Sequence, residues 1–457
     1  MGKERRTSKQ KVRTRALQAS RFLFRSRFLR PFLVRYIASK VEVYSTVTHP
    51  EVSVLLLDPE RWWPDTLKRF SEKVNIYILP NIVRQQLLKL HLTDEDFACL
   101  RTYQFSKAGE QRKKRLIKFL RSFLPALAKR VSFDAIVSPS YFYVQNIPIA
   151  EACKGTSVPF IDVHKECNKD EVTGPLFKKK VARMNMDVRF RGDAICVYNQ
   201  FTKDLLIDMG AAEMKDIFVT GTMRVDESMK ALKEATDLGT RKTLTLFSFR
   251  QIPVGAKREE YPGQFSPDGK RGYVQLFENV HGAFAKMAQK HPQIRFVIKV
   301  KWRDIWEGKI LEAIQKAGVD FDAVPNLEII STEQSGAELI DESIAIVGFK
   351  TTALLEARLR GVTAITPHFD EVVDRYPLVP YTSIYDDFSV ANSLEEFTAI
   401  LQSCIDVPPA FSPVSEKLMH KYFGYKDAYS LDRVVSVLRF ITGKAGKESV
   451  DFETLYR

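Results

Sequence analysis

The chain has 457 residues, 45% of them hydrophobic and 28% charged, and a formal net charge of +14. That length exceeds one ordinary core and fits two domains of roughly 200 residues each. No run approaches the roughly 18 uncharged apolar residues of a membrane span, and five scattered cysteines (Cys99, Cys153, Cys167, Cys196, Cys404) suit free thiols in a reducing compartment, so a cytoplasmic location is expected.

The charge is concentrated at one end. Residues 1–40 carry thirteen Lys/Arg against one acid, Glu4, a net +12 that leaves about +2 for the remaining 417 residues by subtraction. Phe22, Phe24, Phe28, Phe32 and Tyr36 are interleaved with arginines. Aromatics with arginines and little acid suit an anionic membrane surface, which predicts a peripheral protein on the inner membrane face, held through residues 1–40. Nucleic-acid contact and a solvated arm are the competing readings. Pro31 is expected to interrupt any helix here, and the near-neutral body is expected to offer no second basic patch. Arginines also break every apolar core that a secretory signal would need. The arm is assigned to residues 1–45.

From Val52 onward, short apolar runs alternate with helical stretches. Val52–Leu57, Asn75–Leu79, Phe133–Val137, Ser157–Val163, Asp193–Tyr198 and Ile217–Thr220 read as parallel strands, with a basic helix over Gln111–Arg130. Residues 46–230 thus form a first doubly wound lobe, with a hinge expected near Gly239. The pattern repeats over 240–390, with strands Thr243–Phe247, Arg295–Val300, Leu327–Ser331, Ile344–Val347 and Thr363–Thr366. Gly255–Gly272 reads as a long functional loop. Residues 391–457 carry helices and a tail, with no strand signal. The fold class is therefore α/β: two tandem Rossmann-like domains whose strand ends are expected to face a shared central cleft.

The most informative stretch is Ser343 to Gly361. Ile344 to Gly348 is a buried strand that turns tightly into an amphipathic helix, placing Thr351 and Thr352 where the free amides of a helix start converge, a ready site for phosphate. Glu356 lies one turn further on. In the first lobe, His164 and Glu166 follow a buried strand two residues apart, where either could take a proton from an acceptor hydroxyl. Equally, they could simply cap the loop and pair with Lys165 or Lys169. Asp320 and Asp322 form an Asp-x-Asp, but ahead of a strand, and so read as a surface loop; no metal site is assigned. There is no Walker loop, no GxGxxG after the first strand and no GxSxG elbow, which removes kinases, dehydrogenases and common hydrolases.

Phe296-Val-Ile-Lys-Val-Lys-Trp302 and Thr351-Thr-Ala-Leu-Leu-Glu-Ala-Arg-Leu-Arg-Gly-Val-Thr363 resemble the donor lobe of GT-B glycosyltransferases. The likeness is to bacterial surface-carbohydrate and capsule polysaccharide biosynthesis proteins and to their relatives, the polysialyltransferases and CDP-glycerol glycerophosphotransferases. It spans about residues 190–370. Lys301 stands where those relatives carry a histidine, so their cytidine-phosphate contact does not transfer. The resemblance implies a nucleotide-sugar donor and a lipid-linked or polysaccharide acceptor, with no cofactor and no nucleic-acid partner. Arg250 and Gln251 would line the donor site. Lys299 and Lys301, sharing one strand face near Arg250, would neutralise a diphosphate leaving group without an essential metal. A non-hydrolysing nucleotide-sugar epimerase and a CDP-polyol phosphotransferase of the same fold are the alternatives, beside a nucleic-acid-binding protein.

Overall fold

The computed structural model describes residues 29–62, 64–165, 171, 173–232, 241–251, 272–300, 303–374, 382–410, 412, 414–425 and 427–444. By contact the chain divides into two compact units: residues 1–166, 185–224 and 429–457, and residues 167–184 and 225–428.

The first unit is built on seven strands: β1 (Glu42–Ser45), β2 (Val52–Leu56), β3 (Val74–Ile78), β4 (Ala135–Ser138), β5 (Phe160–Val163), β6 (Ala194–Val197) and β7 (Ile217–Val219). Their order is β1-β3-β2-β4-β5-β6-β7, parallel except for β1, which runs antiparallel to β3 at the edge. Alternate residues feed opposite faces. Leu55, Ile136 and Phe160 pack against the Lys107–Val131 helix, whereas Val54, Val137 and Ile161 pack beneath the Ser430–Ile441 helix through Leu431, Val434 and Leu438. Burial on both faces is why β2, β4, β5, β6 and β7 read as near-continuous apolar runs.

In the second unit, six strands are β8 (Thr243–Phe247), β9 (Arg295–Lys299), β10 (Leu327–Ile330), β11 (Ser343–Gly348), β12 (Thr363–Pro367) and β13 (Ser389–Ala391). The order is β10-β9-β8-β11-β12-β13, all parallel. Leu246, Ile298 and Val347 face the Val274–Lys290 helix, and Ile346 and Ala364 face Leu354 and Leu355 of the Thr352–Leu359 helix. Both units are therefore doubly wound α/β layers with Rossmann-like sheets.

Several sequence assignments move. Pro31 does not interrupt a helix; it begins one, Arg30–Ala38, at a position whose amide has no intrahelical partner to lose. Leu33, Val34 and Ile37 from that helix are buried in the first core. At roughly 1.5–3 kcal/mol per buried side chain, the end of the supposed arm is part of the lobe. Residues 391–457 are likewise divided: Leu394–Asp406 packs on the second sheet, behind the unanticipated strand β13, and Ser430–Ile441 on the first. The chain changes unit after Arg224, while Gly239 and residues 255–271 of the expected loop lie outside the described residues.

Candidate functional site

The second sheet reverses its strand order between β8 and β11. The chain leaves β8 toward β9 and β10 on one side, then returns to add β11, β12 and β13 on the other. At such a switch point the loops after the two central strands diverge and open a crevice at the carboxyl ends of the strands. Here those loops are Ser248–Gln251 and Phe349–Thr351, brought level because Phe247 pairs in register with Gly348.

The turn after β11 is tight. A Cβ on Gly348 would lie 2.6 Å from Thr351 Cγ2, so any larger residue would have to displace the capping Thr351 side chain. Lys350 then adopts φ +53°, a left-handed conformation that costs a lysine on the order of 1–2 kcal/mol. Its ammonium donates to the Tyr273 hydroxyl and lies 4.3 Å from the Tyr273 ring centroid. Among the described residues it has no carboxylate partner, and burial lowers its pKa to about 7. Thr351 caps the Thr352–Leu359 helix, its Oγ1 accepting from Ala353 N at 3.3 Å, which leaves the hydroxyl proton available. Thr352 is half-buried beside it, and Glu356 is buried one turn on.

The β8 side is tied to this turn through aromatic residues. The Gln251 carbonyl accepts from Tyr273 N at 2.7 Å, and the Phe249 and Phe349 rings meet edge to face at 5.2 Å. Arg250 is half-buried, its guanidinium 6.0 Å from the Trp306 ring, and burial lowers its pKa. Ser248 Oγ lies 2.9 Å from Nε2 of His281, whose Nδ1 lies 2.8 Å from the Phe277 carbonyl oxygen. Complete burial depresses the His281 pKa to about 4. The nearby Val274–Lys290 helix is no vacant anion site, because Glu371 accepts from Gln275 N and Leu276 N at 2.8 and 2.9 Å.

The structure thus places Arg250 and Gln251 in the loop after β8 and Thr351, Thr352 and Glu356 at the turn and helix after β11, but turns the Lys299 side chain elsewhere. Lys299 donates to the Ser331 carbonyl and, at 2.5 Å, to the Gln334 carbonyl, closing the loop after β10. Only the side chain turns away: the Lys299 carbonyl accepts from Ser248 N at 2.9 Å, beside the end of β8. Lys301 and Glu166 lie outside the described residues. Asp320 accepts from Asp322 N at 3.2 Å and caps a short turn. In the first unit, His164 is buried beside Tyr141 and Phe142, with Nδ1 3.3 Å from Asp162 Oδ2 but outside hydrogen-bond alignment. Burial raises the Asp162 carboxyl pKa. Sequence reasoning passed over Lys350 although it stands inside the Gly348–Thr352 turn already singled out; the signal was a long cation where a small residue is expected.

No protein-family model matches the chain, and no curated protein does. Among solved structures, the chain is similar to a UDP-GlcNAc 2-epimerase from Neisseria meningitidis bound to UDP-GlcNAc, at 13% identity over 84% of this chain and 98% of that one, with a TM-score of 0.43. It is similar also to S. aureus MnaA in a co-structure with UDP (13%, 88% and 100%, TM-score 0.46) and to a glycosyltransferase from Rickettsia africae (13%, 87% and 100%, TM-score 0.44). These likenesses are distant, and the functional reading rests on the chain's own residues.

Proposed function

We propose that this protein is a glycosyltransferase that takes a nucleotide-activated sugar, the donor diphosphate resting on the Gly348–Thr352 turn. The observation that carries the reading is a half-buried Lys350 with left-handed backbone at a sheet switch point, beside a threonine-capped helix start. Backbone strain at a half-buried cation is retained where the surroundings make use of it. A diphosphate there would accept from the Lys350 ammonium and the Thr351 hydroxyl, and its developing charge as the sugar leaves would be met by groups already in place. Such a site needs no metal, so activity is expected to survive EDTA. The resemblance of residues 296–302 and 351–363 extends the proposal to a lipid-linked or polysaccharide acceptor in bacterial surface polysaccharide synthesis. Proton removal from the acceptor is assigned to His164 or Glu166.

The test is a thermal-shift panel of nucleoside diphosphates and their sugars. One that binds should stabilise by about 2.7 kcal/mol at 100 times its dissociation constant, and Lys350→Met should abolish that shift. A panel without any stabilising nucleotide, or a Lys350→Met variant that shifts like wild type, refutes the donor site. With the bound sugar identified, product analysis separates transfer from epimerisation: a 2-epimer formed without acceptor selects the epimerase reading.

A further inference from the structure

We propose that the outer face of the Lys107–Val131 helix, continued by Phe32 and Tyr36, docks onto an anionic lipid bilayer. Lys114, Arg115, Lys118, Arg121 and Lys129 are exposed and fall within an arc of roughly 120° on the helix. Among the described residues none of the five is in an ion pair, and no exposed residue of this helix is acidic. Its one acid, Glu110, is taken by Lys113 at 2.9 Å. Like charges three and four residues apart repel, so this face weakens its own helix unless an outside anion meets it. The body of the chain, near neutral in sum, therefore does present a second basic patch.

What adjoins the stripe is apolar. Arg30 Nη1 donates to Ser122 Oγ at 2.6 Å, fastening the start of the Arg30–Ala38 helix to the edge of the same arc. Phe32 is 63% exposed and Tyr36, one turn on, is 48% exposed, with Lys40 Nζ 5.7 Å from the Tyr36 ring. Residues 1–28 ahead of them hold ten Lys/Arg against one acid. A convex helix face with protruding rings beside a row of cations matches a planar interface, where rings enter the acyl boundary and cations meet headgroup phosphates. A duplex would gain from the cations alone.

The full chain is sedimented with phosphatidylcholine vesicles with and without phosphatidylglycerol. Binding is expected only to the anionic vesicles. Lys114→Glu/Lys118→Glu/Arg121→Glu should lower the partition coefficient about 100-fold, and Phe32→Ser/Tyr36→Ser about 10-fold with an unchanged salt dependence, both variants melting like wild type. If the triple variant sediments like wild type, or wild type ignores phosphatidylglycerol, or a DNA duplex is bound more tightly than the vesicles, the docking surface is wrong. The donor-site measurements are independent of every one of these outcomes.

Discussion

Each of the two units has a switch point, and the two are furnished in opposite ways. In the first, where the order β3-β2-β4 reverses, the chain fills the place with its own charges. Asp58, left-handed at φ 54° and 1% exposed, pairs with Arg84 at 2.7 Å and accepts from Asn146 Nδ2 at 2.7 Å, while Asn146 also reaches Ser138 at the end of β4. Arg84 is itself 1% exposed and donates to Asn146 Oδ1 at 2.6 Å. In the second, the cation is Lys350, and among the described residues no carboxylate answers it. A shared topology thus yields a plugged crevice and a charged one. Fold alone does not make a ligand site; the charge balance left at the strand ends does.

The largest expected effect comes from breaking the plug. Asp58→Ala strands the Arg84 guanidinium in the core and should cost about 3–5 kcal/mol of unfolding free energy in urea. The double change Asp58→Leu/Arg84→Met should recover most of that, because an apolar pair of similar bulk removes the desolvation penalty along with the attraction. A double variant as unstable as the single one would mean that the pair does more than fill the site.

A middle-sized effect separates the charged crevice from an inert one. Lys350 has its pKa lowered by burial to about 7, so it loses its proton as pH rises through that value. Affinity for a nucleoside diphosphate should therefore fall between pH 6.5 and 8.5, by a charged hydrogen bond of about 1.5–3 kcal/mol at most. In Lys350→Met the affinity should be weak and flat over this range. The same group makes stability of the ligand-free protein rise with pH above about 7, since the unfolded chain binds more protons until near pH 10.5. Equal pH slopes in the two proteins, by isothermal titration, would sink the assignment.

The smallest concerns the helix start. Thr351→Ala removes the cap to Ala353 N, at a cost of about 1 kcal/mol in stability. It also removes a hydroxyl from the proposed phosphate position. Thr351→Ser should restore both. If nucleotide affinity in the alanine variant equals wild type while stability drops, Thr351 is a cap and nothing more.

How much of this was legible follows from where each residue's partners lie in the chain. Strands β2 to β12 were readable because burial on both faces writes itself as an apolar run. Strands β1 and β13 were not: Glu42–Ser45 is largely exposed and Ser389–Ala391 only three residues long, so neither leaves a periodic trace. The Gly348–Thr352 turn was readable from local chemistry alone. The contact of Lys350 with Tyr273 was not, because that ring lies 77 residues earlier. Lys299 was misdirected for the same reason: its carbonyl partners lie 32 and 35 residues onward, in a loop whose path the sequence does not announce.

The fixed tautomer of His281 has a consequence for selection. A neutral ring whose Nδ1 faces a carbonyl must carry its proton there, so Nε2 is a lone pair and the Ser248 hydroxyl is obliged to donate to it. Half-exposed at the tip of β8, Ser248 has only acceptor capacity left to offer outward. A ligand that presents an O–H or N–H at that point completes the chain of polarised bonds; one that presents a carbonyl meets lone pair against lone pair. In the proposed donor crevice, the direction of that single proton would favour an incoming hydrogen-bond donor over an incoming acceptor at Ser248.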